Sequence, residues 1–301
     1  METVEALAYI LALVRLRRRG ITQADRVNDL LTTGDPERSY HRARAGGGQP
    51  SLLDVDDDLR RAHDDISRWL EAGYGIVSVL SDRYPSRVRE VREAPALLYY
   101  QGALLSDDDA VCVIGSRQAS PQGLSDARDA ARALVAHGYT VLAGLAAGID
   151  TAAHVAALDA GGRTVAIMGT GLDRTYPASN ADLRSEIVKV GGLVLTQFAP
   201  GSPVRPANFP MRNAVMSGYG LASYVVEASE HSGTRTQTRL ALHHGRQVIL
   251  TQRVARGAPW GQEAANSHDA AVISGPADLL THVDALRRRR EKNERWMAAL
   301  S

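Results

Sequence analysis

A single cysteine, Cys112, stands in the 301-residue chain, and it lies inside an apolar run. It has no partner for an internal disulfide, which fits a reducing cytosol and a small core residue. No charge of one sign dominates, since 35 Lys and Arg residues face 34 Asp and Glu residues. A global basic field is therefore excluded, and any polyanionic partner must be bound by a local patch. The chain lacks a P-loop lysine motif, Cys/His clusters at zinc spacing, and a G-x-S-x-G elbow. These absences argue against P-loop ATP hydrolysis, a structural zinc and a hydrolase nucleophile of that kind. His243 and His244 are neighbours on an expected helix, where adjacent side chains point apart, so they make a poor shared metal site. A long hydrophobic run is missing as well. The apolar part of METVEALAYILALVRLRRRG is too short to span a bilayer. Its basic cluster also follows the apolar residues, whereas a secretory signal places charge first. Helical spacing of the apolar residues predicts an amphipathic first helix in a soluble, cytoplasmic protein.

Hydrophobic residues make up 44% of the chain, enough for one substantial domain with room for a smaller one. Composition divides the sequence into zones. Residues 1–70 read as a small helical domain, split by the flexible, glycine-rich SYHRARAGGGQPS. Residues 71–107 form a connector with two short apolar runs, Ile76–Leu80 and Ala96–Tyr100, around a Tyr-Pro turn. Over 108–283, Val/Ile/Leu-rich runs alternate with amphipathic stretches that end in glycine. That alternation predicts βα units and a doubly wound, Rossmann-like parallel sheet buried on both faces. Gly138, Gly162, Gly192 and Gly245 fall where helix caps are expected. Residues 284–301 close the chain as a basic helix. Its run Arg287–Arg290 is flanked by acidic residues and reads as a solvated helix end rather than a DNA contact.

Ligands of an open parallel sheet bind beyond the carboxyl ends of its strands, where the βα loops converge. Five loops there have anion-friendly composition. The first, VCVIGSRQASPQG, offers Gly115, Ser116, Arg117 and Ser120 at a strand-to-helix turn. The second, AGLAAGIDTAAH, has Gly144 and Gly148 for close backbone approach. Its Asp150 and His154 read either as an acid/base pair or as a cap and a packed histidine. The third, MGTGLDRTYPASN, carries Gly171 and places Tyr176 either to stack a base or to anchor the loop. The fourth presents Phe209, Arg212 and Asn213, an aromatic face beside a guanidinium that suits a base and its phosphate. A core phenylalanine beside a surface arginine is the alternative reading. The fifth, EASEHSGTRTQT, sets Ser232, Gly233, Thr234 and Arg235 at a helix start, a donor-rich anion site.

At these loops the chain resembles the DNA-processing protein A family (DprA, also called Smf). GSRQAS, AGLAAGIDTAAH, GTGLDRTYP, NFPMRNA and EASEHSG follow the order of the family's motifs, and SDRYPSRVREVREAPALLYYQG resembles its upstream connector. The resemblance covers roughly residues 70–280. It implies a Rossmann-like domain without enzymatic activity or cofactor that binds single-stranded DNA, forms a homodimer and helps load a RecA-type recombinase in transformation or recombination. By resemblance, the DNA contacts fall on Arg117 and Arg212 with neighbouring backbone amides. Departures from the pattern are Ala147 and Ala214, where arginines are usual, and Gln197 in place of an acidic residue. Losing two cations weakens phosphate binding, and Arg235, Arg239, Arg253 and Arg256 are placed to compensate. The alternative is a nucleotide-binding sensor or a nucleotide N-glycosidase of the related superfamily, using Asp150, Glu227 and the SGT turn, because a pocket for one phosphate needs fewer cations.

Overall fold

The computed structural model describes residues 2–16, 20–45, 52–230 and 232–298. Four helices open the chain: α1 (Val4–Arg15), α2 (Gln23–Thr33), α3 (Pro36–Ala45) and α4 (Leu52–Glu71). Thr22 starts α2 through a reciprocal capping box with Asp25. Helix α3 runs through the first half of the segment expected as a loop. Pro36 begins it, and buried Tyr40 packs 5.8 Å from Tyr9 of α1, so tertiary burial holds residues of modest helix preference. The glycines of that segment lie in 46–51, outside the described residues.

The rest of the chain alternates β and α: β1 (Gly75–Ser78), α5 (Ser86–Arg89), β2 (Leu97–Gly102), β3 (Ala110–Gly115), α6 (Pro121–Ala136), β4 (Thr140–Ala143), α7 (Ile149–Asp159) and β5 (Thr164–Ile167). It continues through α8 (Ala181–Lys189), β6 (Leu193–Thr196), α9 (Asn208–Tyr219), β7 (Ala222–Glu227), α10 (Gly233–His243) and β8 (Gln247–Thr251). It closes with α11 (Gln252–Gly257), α12 (Pro259–Asn266), β9 (Ala270–Ile273) and α13 (Pro276–Ala298).

The described residues form one nine-stranded sheet in the order β1-β2-β6-β5-β4-β3-β7-β8-β9. Strands β3 to β9 are parallel, as the βα alternation predicts. The connector adds what the alternation did not anticipate. Its two apolar runs pair antiparallel with each other, and β2 pairs antiparallel with β6, covering that edge of the parallel sheet. Chain order reverses at β3, whose neighbours are β4 on one side and β7 on the other. That switch point is where a doubly wound sheet leaves a crevice.

Strand β3 shows how both faces are filled. Val111 and Val113 belong to the apolar cluster under α6, α7 and α13, while Cys112 and Ile114 join the opposite cluster with α9 and α10. Period-two alternation sends successive side chains to opposite faces, and here both are dry. Each such Val or Ile contributes about 1.5–3 kcal/mol of burial, so an Asp at position 113 would break the strand. Alanines of α6 and α7 (Ala127, Ala131, Ala153, Ala157) are fully buried and let those helices lie close together. The opposite cluster is continuous with α1 and α4, so the N-terminal helices share its apolar core; Trp69 meets Tyr99 edge-on at 5.4 Å.

Two details differ from the sequence expectation. Of the paired glycines, the first member, Gly161 and Gly191, takes the left-handed conformation, whereas the second packs closely, Gly162 against Val135 of α6 and Gly192 against Ile187 of α8. The basic run is also partly neutralised. Arg287 lies 3.6 Å over the Tyr139 ring and pairs with Asp109, and Arg290 pairs with Asp107 and Asp109 at 2.9 and 2.8 Å. Arg288 and Arg289 are exposed, and the helix that carries the run starts at Pro276.

Candidate functional site

At the switch point a crevice of about 500 Å³ opens between the loops after β3 and β7, with the first turns of α9 and α10 as its other walls. Strand β3 ends in Gly115, where a Cβ would meet the Glu227 carbonyl oxygen at 2.7 Å, so only glycine lets β3 and β7 exit together. Ser116 donates its backbone N–H to that same carbonyl at 2.7 Å, and Arg117 leaves the turn exposed. The opposite wall is the donor-rich start of α10, with Ser232, Gly233 and buried Thr234. A helix start offers free N–H groups and the positive end of its dipole to an anion.

The floor is charged. Arg212 on α9 is 5% exposed, and its Nη1 donates to the carbonyl oxygens of Gly144 and Ile167 at 2.5 Å each, while Nε donates to Asn213 at 3.1 Å. Burial lowers the pKa of Arg212, opposed by the nearby Asp150 charge. Asp150, also 5% exposed, accepts from the N–H groups of Gly144 at 2.9 Å and Ala146 at 3.4 Å. Burial pushes the Asp150 carboxyl up, against the pull of Arg212 and those two amides. A Cβ on Gly144 would fall 2.3 Å from the Arg212 guanidinium, which explains the glycine.

Above the floor stands an aromatic ledge. The Arg117 guanidinium lies 5.3 Å from the Phe209 ring centroid, and the ring of half-exposed Tyr176 lies 5.6 Å from that of Phe209 at a tilt of 55°. Phe209 rests on Gly169, whose absent Cβ would touch the ring at 3.0 Å. The turn after β3, the loop after β5 and the first turn of α9 thus each contribute one member of a cation–aromatic–aromatic group, of which Arg117 and Phe209 line the crevice. Such a row suits the π-face of a base with a phosphate close by.

Of the sequence candidates, Gly115, Ser116, Arg117, Phe209, Arg212, Asn213, Ser232, Gly233 and Thr234 line the crevice. Ser120, Gly144, Gly148 and Gly171 are not among its lining residues. Ser120 caps α6 by accepting from Gly123 N–H at 3.0 Å and donates to Glu227. Gly148, at φ +80°, lets α7 begin 2.3 Å (by its missing Cβ) from the Ser116 carbonyl oxygen. Gly171 is buried against Ala199 and Asp173. Arg235 points to a different cavity, between α10 and α12. Gln237, 1% exposed, was missed; it lines the crevice one turn after Gly233 and Thr234, and its i+3/i+4 spacing from them was the available signal. Ala147 is exposed on the turn before α7, whereas Ala214 is buried in α9.

The acid/base readings dissolve into packing. His154 is fully buried, and its Nδ1 lies 2.7 Å from the Thr164 hydroxyl. That hydroxyl spends its proton on the Val141 carbonyl at 2.8 Å, so the imidazole donates from Nδ1 and leaves Nε2 a bare, unpartnered lone pair. Burial drives the His154 pKa down to about 3, with the Arg212 charge adding to the effect. Glu227 lies outside the crevice lining. Its carboxylate accepts from Ser120 N–H at 2.9 Å, Ser120 Oγ at 2.5 Å and Arg253 Nη1 at 2.8 Å. Burial raises the Glu227 carboxyl, but these hydrogen bonds win and hold it below the usual range. A carboxylate so engaged ties the starts of α6 and α11 to the end of β7 and stands outside the crevice lining, which disfavours the glycosidase alternative. Arg253 is likewise committed to Glu227 and to Asp126.

Fold and crevice together define a doubly wound, Rossmann-like protein with an arginine- and aromatic-lined anion site at its switch point. The family model of DNA recombination-mediator protein A matches residues 75–286, and the chain belongs to that family. The DNA processing protein DprA of Streptococcus pneumoniae is 40% identical over 209 residues, covering 69% of this chain and 73% of that one. Protein Smf of Escherichia coli is 31% identical over 218 residues, covering 71% of this chain and 58% of that one. The solved pneumococcal DprA structure matches with a TM-score of 0.70 at 26% identity, over 93% of this chain and 98% of that one. A Helicobacter pylori DNA processing protein A, whose structure describes a single-stranded DNA binding mode, matches at a TM-score of 0.63 and 22% identity, over 72% and 96% of the two chains. That second likeness establishes a shared fold.

Among the described residues, no helix is long and apolar enough to cross a membrane.

Proposed function

We propose that the switch-point crevice binds single-stranded DNA, and that the chain acts in the cytoplasm as a homodimeric recombination mediator that delivers the strand to a RecA-type recombinase during DNA uptake or recombination. The observation that carries the DNA reading is the row Arg117–Phe209–Tyr176 beside the α10 helix start. Base stacking on Phe209 tolerates any sequence, and Arg117 with the Ser232–Thr234 turn takes the backbone phosphate. Arg212 acts from below. Held by two carbonyls, it supplies a fixed positive potential rather than a mobile contact. The recombination-mediator role rests on the family, whereas the recombinase partner and the dimer are carried over from the resemblance of the loop motifs.

Fluorescence anisotropy with labelled oligo-dT tests the reading. Binding should weaken as salt rises, and Arg117→Ala should weaken it further. Absence of binding at low salt, or stabilisation by a mononucleotide alone in a thermal-shift screen, would overturn it.

A further inference from the structure

A second cavity, of about 410 Å³, opens between α10 and α12 on the far side of the first turns of α10. Arg235 and Arg239 stand one helical turn apart there, so both guanidiniums share one face of α10. Trp260, 5% exposed, lines the cavity, and its Nε1 donates to the Ser229 carbonyl at 3.4 Å, which fixes the ring. Glu263 and Asp269 stand exposed at the rim. Thr236 lines both this cavity and the switch-point crevice, so the two openings meet across the start of α10.

We propose that this cavity is a second nucleotide subsite, which takes the next base and phosphate of the strand held in the crevice. The proposal rests on the crevice binding nucleic acid. Arg239 is exposed and makes no hydrogen bond or ion pair with a described residue, so a phosphate gives it its first partner. Arg235 is held only by an exposed ion pair with Glu230 at 3.0 Å, an exchange that costs little. The indole of Trp260 supplies an aromatic wall for a base. Two carboxylates repel phosphate but accept hydrogen bonds from exocyclic amino groups, as carboxylates do from cytosine N4. Thymine has no amino group to offer. The subsite therefore favours cytosine over thymine, a preference that the stacking row of the crevice does not supply. Continuity through Thr236 makes the occupant the same strand rather than a separate ligand.

The test measures anisotropy with three-nucleotide and twelve-nucleotide oligo-dC and oligo-dT on the full chain and on Arg239→Ala, Glu263→Gln and Arg117→Ala variants. All three altered side chains are exposed, and circular dichroism confirms the fold of each variant. Arg239→Ala should weaken the twelve-mers roughly tenfold, lower the log–log salt slope by about 0.7, and weaken the three-mers as well, because the nucleotide after the one in the crevice already reaches the subsite. Glu263→Gln should narrow the preference for oligo-dC over oligo-dT. Unchanged twelve-mer binding in Arg239→Ala, with weaker binding in Arg117→Ala, overturns the second subsite and leaves the crevice reading standing. Binding that is absent from the unaltered chain, or unmoved by Arg117→Ala as well, overturns both.

Discussion

Asp150 and Arg212 grip the same residue from opposite ends: the Gly144 N–H donates to the Asp150 carboxylate at 2.9 Å, and the Gly144 carbonyl accepts from the Arg212 guanidinium at 2.5 Å. Two buried, opposite charges are thereby spaced by one peptide residue at the end of β4, under the crevice. Each needs the other, because either charge alone would sit in a dry site uncompensated.

Arg212→Leu should therefore destabilise the fold. It strands the Gly144 and Ile167 carbonyls and leaves Asp150 without its nearby cation. The expected loss is about 3–5 kcal/mol, read as a lower urea midpoint at unchanged m-value. A simple DNA-contact arginine would leave the midpoint where it was.

Arg117 gives the opposite result. Its side chain is exposed and touches Phe209, so Arg117→Ala should leave the urea midpoint within about 0.5 kcal/mol. Oligo-dT affinity should fall roughly tenfold, with the salt slope reduced by about 0.7. Phe209→Ala should cost about 1–3 kcal/mol of binding with little change in slope, because stacking is uncharged. Titration at several salt concentrations separates the two.

Glycine substitutions separate packing from function. Gly148→Ala puts a side chain at φ +80° and 2.3 Å from the Ser116 carbonyl oxygen. Strain alone should cost about 1–3 kcal/mol, and thermal melting should drop accordingly. Gly233→Ala meets nothing within 4 Å, so its melting temperature should stay close to that of the unaltered chain.

His154 predicts an acid limb. Its folded pKa is about 3 and its unfolded value about 6.5, so the unfolded state takes up a proton first. Stability is thus fully present above pH 6.5 and falls as pH drops toward the folded value, by up to about 1.4 kcal/mol per pH unit. Chemical denaturation between pH 7 and 4 should be flatter for His154→Gln than for the unaltered chain. Carboxylates such as Glu227 act in both proteins and cancel in the comparison.

Legibility in the sequence followed how local each determinant was. The parallel sheet was readable because runs such as VCVIG and TVLAG carry their burial in their composition. Crevice residues at strand exits, Gly115 to Arg117 and Ser232 to Thr234, were readable because glycine, serine and arginine at a βα turn leave few other uses. The antiparallel pairing of β1 and β2 was not, since a short apolar run does not declare its partner or direction. Ser120 and Gly171 looked like ligand contacts because a cap and a packing glycine use the same residue types as an anion turn. Arg212 was picked out by its neighbours, yet its burial depends on carbonyls 45 and 68 residues away, a distance no local pattern encodes.

The row Arg117–Phe209–Tyr176 belongs to no single segment of the chain; the connections leaving β3, β5 and β6 each place one member, Phe209 from the first turn of α9. Its geometry is therefore set by loop lengths as much as by residue identity. An insertion in any one of these connections would move one member away from the other two while the sheet stayed intact. Loop length at these three corners is the quantity that grafting or shuffling of this domain has to preserve.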